Sequence, residues 1–578
     1  MGSEESTTRT ANQFLRQQRP EEDAPDSSPQ PATALAPWTP MVVIMLAQTQ
    51  MAFNITALPV SIGGIVESFS APATTISTAL VLYSLCVAAF VLIGARIGRL
   101  AGERLTFQIG VAVHGAAMAA VALSVGAGML YAGQVIAGLA AAVLVPSLVV
   151  LIAANYRGKQ QAQCLGLLAG TPAIASVLAF AIAGFLGSVL TWRLSFALLA
   201  VLAVAVVALS FRLEPIRRNR SERIDFGGAA FAAAAVILFS LGLNFLNDWG
   251  PLLERADAPF GVIGLSPAPF LVIGGMVFGQ AFFVWSHRRQ SRRTATLISL
   301  EVLDSRTERR AVIAMLMVGG LGAAVDFLIP LYVQIVQGRD SLETAIAAIP
   351  YTLTVFASAV FIVRLYDRFS SRQIAVAGFG LVAAGLTMLA FSIGNDWGTP
   401  TVIASLLVLG TGEGALLTLL FNVLVSESPK RLAGDVGALR GTANNLSTAV
   451  GTSVATLLSI SLLSLIVANR LASTPALPQQ LQDEIPLDKV DFVSNDQLTQ
   501  VLSETSATPE QVATAVEVNT DARLQALRES FLILAAVGLL AILPSLGLPR
   551  YSPSEVPDPD EEQPPDPAKI TSFNRRNQ

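Results

Sequence analysis

The sequence predicts an all-α protein that crosses a membrane about fourteen times. Three observations carry that expectation. Hydrophobic residues make up 53% of the 578 positions and charged residues only 13%, a balance that suits a bilayer better than water. Apolar runs long enough to cross roughly 30 Å of hydrocarbon recur from Met41 to Leu548. The arginines between these runs collect on alternate connections, as they do when one side of a membrane gathers the positive charge.

Residues 1–36 carry Glu4, Glu5, Glu21, Glu22, Asp23 and Asp26 among Ser and Pro, too polar to bury a core, and are expected to form a disordered tail. No basic stretch precedes the first apolar run, so a secretory signal peptide is not expected. Spans fall near 41–65, 73–95, 106–124, 129–151, 164–186, 194–213, 226–246, 268–287, 311–335, 344–366, 373–393, 400–424, 438–466 and 529–548. Backbone groups in lipid must be paired within each segment, and the period-two alternation of a membrane β-barrel is absent, so the runs read as helices.

Arg96, Arg99 and Arg104; Arg157 and Lys159; Arg217, Arg218, Arg220 and Arg223; and Arg288, Arg289, Arg292, Arg293, Arg306, Arg309 and Arg310 all fall on one side. The positive-inside rule makes that side, and both termini, cytoplasmic. The acidic stretch 467–528 then faces outward, with Ser494 before Gln497 and Thr508 before Pro509 reading as starts of two short helices. The last 30 residues, rich in Pro and acids, read as a second disordered tail. Only 4 of the 37 basic residues are Lys, which points to a GC-rich bacterial genome and hence to a bacterial inner membrane.

Composition excludes several function classes. Cys86 and Cys164 lie inside apolar runs without CxxC spacing, which suits packing. His114 and His287 are the only histidines, so a histidine metal site or a catalytic dyad has little material; neither metal nor cofactor is expected, nor an enzyme. Basic residues are scattered in short clusters, so nucleic acid is not an expected partner.

Acids inside the spans are the strongest site signal, because an ionised side chain at mid-bilayer costs about 2.5 to 3.5 kcal/mol on insertion scales. Asp326 lies four residues before Pro330, following Gly319, Gly320 and Gly322, and Glu413 lies within Gly410-Thr411-Gly412-Glu413-Gly414. The alternative for each is a hydrogen-bonded acid in a close, glycine-rich helix contact. Arg440 sits nearer the end of its span, where a long basic side chain can snorkel. Gln50, Gln134 and Tyr83 offer hydrogen bonds from the first half of the chain, to a ligand or to a neighbouring helix.

Several motifs resemble those of the major facilitator superfamily, and within it the fourteen-helix proton-driven drug exporters. Ala57-Leu58-Pro59 ends the first span, Trp192-Arg193 with Phe196 opens the sixth, and Arg223-Ile224-Asp225 opens the seventh. Pro330-Leu331-Tyr332-Val333-Gln334 closes the ninth, and Gly451 lies in a thirteenth rich in Gly, Ser and Thr. The resemblance implies two six-helix bundles rocking about a central cavity that helices one, four, nine and twelve line, with an extra pair between them. Its division of the chain is a tail at 1–36, a first bundle at 37–213, a linker at 214–225, the inserted pair at 226–287, a basic linker at 288–310, a second bundle at 311–548 and a tail at 549–578.

Departures from the family pattern are equally specific. The loop after the second helix, Gly-X-Leu-Ala-Asp-Arg-X-Gly-Arg-Arg in the family, reads Ala95-Arg96-Ile97-Gly98-Arg99-Leu100-Ala101-Gly102-Glu103-Arg104, with Arg99 in place of the acid. Its counterpart, Arg364-Leu365-Tyr366-Asp367-Arg368-Phe369-Ser370-Ser371-Arg372, keeps acid and base. The resemblance makes Arg96, Arg99, Gly102, Arg104, Asp367, Arg368 and Arg372 candidates for latching the bundles on the cytoplasmic face. Gln134 stands where the fourth helix of the family has a buried arginine, Ala179-Phe180 replaces a Gly-Pro, and Gln50 stands where an acid is expected. With these positions unable to titrate, Asp326 and Glu413 become the candidates for coupling or recognition.

The leading expectation is a secondary transporter that exports lipophilic or cationic small molecules, with protons as coupling ion, acting as a monomer. One alternative is an exporter or facilitator of a cell-envelope lipid or metabolite without the usual proton coupling. Another is a transport-inactive scaffold or sensor, against which two costly buried acids argue.

Overall fold

The computed structural model describes residues 36–70, 74–216, 218, 223–246, 249–255, 258–261, 263–292, 294–303, 305–339, 341–394, 400–428, 430–473, 498–499 and 508–550. The expected tails apart from residues 36, 549 and 550, the helix start at Ser494 and the arginines Arg217, Arg220 and Arg293 lie outside the described residues.

Among the described residues, fourteen helices are long and apolar enough to cross a membrane. They are α1 (Thr39–Val60), α2 (Thr74–Ala101), α3 (Glu103–Ala122), α4 (Ala127–Asn155), α5 (Gly158–Val189), α6 (Arg193–Ser210), α7 (Phe226–Asn244), α8 (Pro267–Ser291), α9 (Arg306–Leu331), α10 (Ser341–Phe361), α11 (Ser371–Ser392), α12 (Pro400–Glu427), α13 (Ala433–Ser473) and α14 (Pro509–Leu540). Local chemistry sets several of their starts. Ser305 with Glu308, Ser370 with Gln373 and Thr508 with Gln511 close capping boxes on α9, α11 and α14, so orphan backbone donors are satisfied before each chain enters the apolar layer. Asp225 caps α7 through Gly228 N.

Helix pairing repeats with a shift of eight. In the first half α1 packs on α5, α2 on α4, and α3 on both α4 and α6. In the second half α9 packs on α13, α10 on α12, and α11 on both α12 and α14. Each half is therefore one six-helix bundle, and both bury aromatic rings on the repeat-related helices α3 and α11, α6 and α14: Phe107 and Phe379, Phe196 and Phe531. Contacts between the bundles obey the same shift, α2 with α13 and α5 with α10.

The inserted pair, α7 and α8, packs mainly on itself and on α2. The Asp225 carboxylate holds the pair together, accepting from Trp285 Nε1 at 3.1 Å and facing Arg289 at 3.5 Å. Phe270, Ile273, Met276, Val277 and Phe283 of α8 are exposed, an apolar surface that suits lipid.

Two helices depart from the expected spans. About twenty residues cross the hydrocarbon, yet α13 has 41 residues and α14 has 32. Thr508 does start a helix, but not a short one: α14 continues from it into the membrane, and α13 runs on to Ser473. Their projecting ends pair through Leu463, Ile466 and Val467 against Ala522 and Ala526, and through Arg470 with Asp521 at 3.1 Å. Both flanks of the expected loop 467–528 are thus helical, because an apolar stripe and an ion pair give each projecting end a partner.

Candidate functional site

Glycines bring three helices of the second bundle to close contact around one carboxyl. A Cβ on Gly410 would lie 2.8 Å from the Tyr351 carbonyl oxygen, on Gly414 2.1 Å from that of Val355, and on Gly412 2.6 Å from that of Gly378. So α12 lies backbone to backbone against α10 and α11, a contact that only small residues permit. Glu413, between these glycines, is buried. Its Oε2 accepts from the Tyr351 hydroxyl, and its Oε1 lies where a Cβ on Gly322 of α9 would be 2.2 Å away. Asp326 follows Gly322 by one turn on the same face of α9, is exposed, and lies within electrostatic range of both Glu413 and Tyr351. Tyr351 is the member of this cluster that sequence reasoning missed; it follows Pro350 inside an apolar run and carries no motif.

The first bundle treats its polar residues differently. Gln50 Nε2 meets His114 Nδ1 at 2.9 Å, and Gln134 exchanges two hydrogen bonds with Asn54, at 3.0 and 3.1 Å. All four side chains are buried, at 1% exposure or less. Gln50 and Gln134 therefore staple α1 to α3 and α4 within the bundle. Asn54, four residues after Gln50 and on the same face of α1, was the available signal. Tyr83 is buried, with its carbonyl 2.6 Å from the Cβ position of Gly138, a close α2–α4 contact.

At the end of the bundles where α2 ends and α13 begins, charge and glycine packing join the two halves. Arg99 Nη2 meets Asp435 Oδ1 at 2.9 Å, and Arg96 Nη2 lies 3.6 Å from Oδ2 of the same acid. Arg96 Nε also donates to the Leu297 carbonyl at 2.6 Å, and Ser299 N donates to Asp435 Oδ2 at 3.1 Å. Asp435 sits in the first turn of α13, where the helix dipole favours an anion. Beside it, Gly437 and Gly441 let α13 approach α4 and α2, their Cβ positions being 3.0 Å from Pro146 Cα and 3.0 Å from Val91 Cγ2.

A second ion pair, Lys159 with Asp367, joins the start of α5 to the turn after α10. The two latches are mates under the eight-helix shift: Gly434-Asp435 opens α13 as Gly158-Lys159 opens α5, and Arg99 lies in the last turn of α2 while Asp367 follows α10. The charges are inverted between them. Exposure separates them too, since the Asp435 side chain is 1% exposed and those of Lys159 and Asp367 are 46% and 48%. Isolated exposed pairs contribute about 0 to 1 kcal/mol, whereas removing one member of a buried pair costs about 3 to 5 kcal/mol.

The remaining latch candidates act within one bundle. Gly102 turns the chain from α2 into α3 at φ 98°, a conformation costly for other residues. Arg104 donates to the Phe211 carbonyl at 2.8 Å and so ties α3 to the end of α6. Arg368 is exposed, and Arg372 N donates to the Pro549 carbonyl at 3.1 Å. Asp435 and Lys159 as latch partners were missed; the repeated Gly-acid and Gly-base steps at two helix starts were the signal.

A sequence profile of the Major Facilitator Superfamily matches residues 43–452. A protein of Streptomyces coelicolor named as a probable actinorhodin transporter is 23% identical over 75% of this chain and 78% of its own length. The multidrug efflux pump LfrA of Mycolicibacterium smegmatis is 25% identical over 73% of this chain and 81% of its own. Among solved structures, the proton:xylose symporter XylE, at 12% identity, superposes with a TM-score of 0.52 over 90% of this chain and 98% of the other, a likeness of fold.

Proposed function

The chain belongs to the Major Facilitator Superfamily, and from that membership we propose that it is a secondary exporter of lipophilic or cationic small molecules that works by alternating access. It is read as a transporter and not an enzyme. The observation that carries the site is Glu413, buried against Gly322 and bonded to Tyr351, with Asp326 in electrostatic range. Two carboxylates this near repel when both are charged, so a proton or a cationic group of the substrate relieves the pair. That makes Asp326 and Glu413 the coupling or recognition groups, a role the paired Gln50 and Gln134 cannot fill because an amide does not titrate. The relatives, a probable actinorhodin transporter and a multidrug efflux pump, support export over an envelope-lipid or scaffold role.

The cycle assigned to the fold is a rocking of the two bundles. The conformation described is joined at the arginine-rich end through Arg99–Asp435, Arg96–Asp435 and Lys159–Asp367. Opening that end breaks all three and parts α13 from α2 and α4. The arginine-rich end and both termini are assigned to the cytoplasm of a bacterial cell, and the chain to the inner membrane as a monomer, with the bundles at 37–213 and 311–548 as the moving units. Efflux of a lipophilic cation from proteoliposomes, with and without an imposed pH gradient, tests the reading. Equal rates in both conditions overturn proton coupling, and no protein-dependent efflux of any small lipophile overturns export.

A further inference from the structure

Resting on the export reading above, we infer that Arg440 is a binding subsite for an acidic group of the transported molecule. Arg440 lies on α13 five residues beyond Asp435, about 7.5 Å inward of the latch along the helix axis. Its guanidinium stands 4.3 Å from the centroid of the Phe421 ring on α12, and that ring is fully buried. The guanidinium therefore does not snorkel away from the protein; it is held against an apolar floor between α12 and α13. Arg96 and Arg99 meet a carboxylate, but Arg440 has no carboxylate within ion-pair distance among the described residues. Asn444, one turn along the same face of α13, presents an exposed side-chain amide.

This arrangement is a receptor for an organic anion. A guanidinium offers forked donors to a carboxylate or sulfonate, and its packing on the buried face of Phe421 fixes where those donors stand. Glu413 lies eight residues from Phe421 on α12, about 12 Å along the axis, so a substrate's negative end is repelled from the acids and drawn to Arg440. The molecules so selected are small and apolar with one acidic group, and those that also carry a basic group about 12 Å away engage both ends. When the arginine-rich end opens, Arg440 lies about 7.5 Å inward of the parted latch, which places it to receive the acid from that side.

Two fluorescent probes that share an anilinonaphthalene body separate the charge from the apolar contact: the sulfonate 8-anilinonaphthalene-1-sulfonate and the neutral N-phenyl-1-naphthylamine. Binding is measured on the full chain in nanodiscs, with the signal of empty nanodiscs subtracted. Arg440→Gln should weaken sulfonate binding at least about tenfold while neutral binding changes less than about twofold, since a hydrogen bond to a charged group is at stake. Arg440→Lys, which keeps the charge, should recover most of the sulfonate affinity. Unchanged sulfonate binding in Arg440→Gln, an equal loss for both probes in both variants, or a parent that does not bind the sulfonate overturns the subsite. Transport is scored separately: a parent that binds as expected but moves neither probe overturns the export reading and leaves the subsite standing.

Discussion

Asp435→Asn should open the arginine-rich end. In the joined conformation this carboxylate receives Arg99 at 2.9 Å, Arg96 at 3.6 Å and the Ser299 amide at 3.1 Å. An amide keeps the size but removes the negative charge that both guanidinium groups face here. Losing one member of a buried pair costs about 3 to 5 kcal/mol, and because the Arg99 and Arg96 side chains are 16% and 10% exposed the lower figure, about 3 kcal/mol, applies. The loss falls on the joined conformation alone, since the pair does not exist once the bundles part. At 1.4 kcal/mol per factor of ten, the ratio of joined to parted molecules falls about a hundredfold. Spin labels at the exposed positions Arg212 and Phe369, one on each bundle, read this as growth of a longer distance in pulsed electron resonance. Arg99→Asp, which sets two acids face to face, should resemble Asp435→Asn. A distance distribution unchanged in Asp435→Asn, in protein that inserts and binds ligand normally, would refute the latch.

Other outcomes follow from the same geometry. Glu413→Gln and Asp326→Asn should retain substrate binding within about threefold but lose accumulation driven by a pH gradient in proteoliposomes; parental accumulation by the double variant would remove both from coupling. Gly322→Ala places a methyl 2.2 Å from Glu413 Oε1, so overpacking of about 1 to 3 kcal/mol should lower the thermal midpoint and impair transport, and Glu413→Ala in the same chain should regain stability. Thr508→Ala removes the cap of α14 and should speed amide exchange in the first turns after Pro509 about fivefold, for a loss of about 1 kcal/mol, leaving exchange near Phe531 unchanged.

Much of this protein was legible because its determinants are local. Hydropathy summed over a span reports transfer into lipid, and backbone groups in lipid can be satisfied only within a helix, so class, span number and approximate bounds follow from runs of about twenty residues. The helix start at Thr508 was readable for the same reason, its cap being settled within four residues. Asp326 and Glu413 stood out because an acid in an apolar run is costly wherever it points.

What the sequence could not decide was which side chains meet. Hydropathy reads α13 only as far as the apolar run lasts, but its outer end stays helical because α14 supplies Ala522, Ala526 and Asp521 to pair with it. Gln50 and Gln134 looked equally able to face a ligand or a neighbour, and only packing set them against His114 and Asn54. Arg99 read as a lost acid, whereas across 336 positions of sequence it finds Asp435, and the mate latch carries the opposite charges. The physical reason is range. Burial and helix formation are set by each residue and its near neighbours, while an ion pair or a glycine contact forms only between surfaces that the packing of distant helices has already brought together.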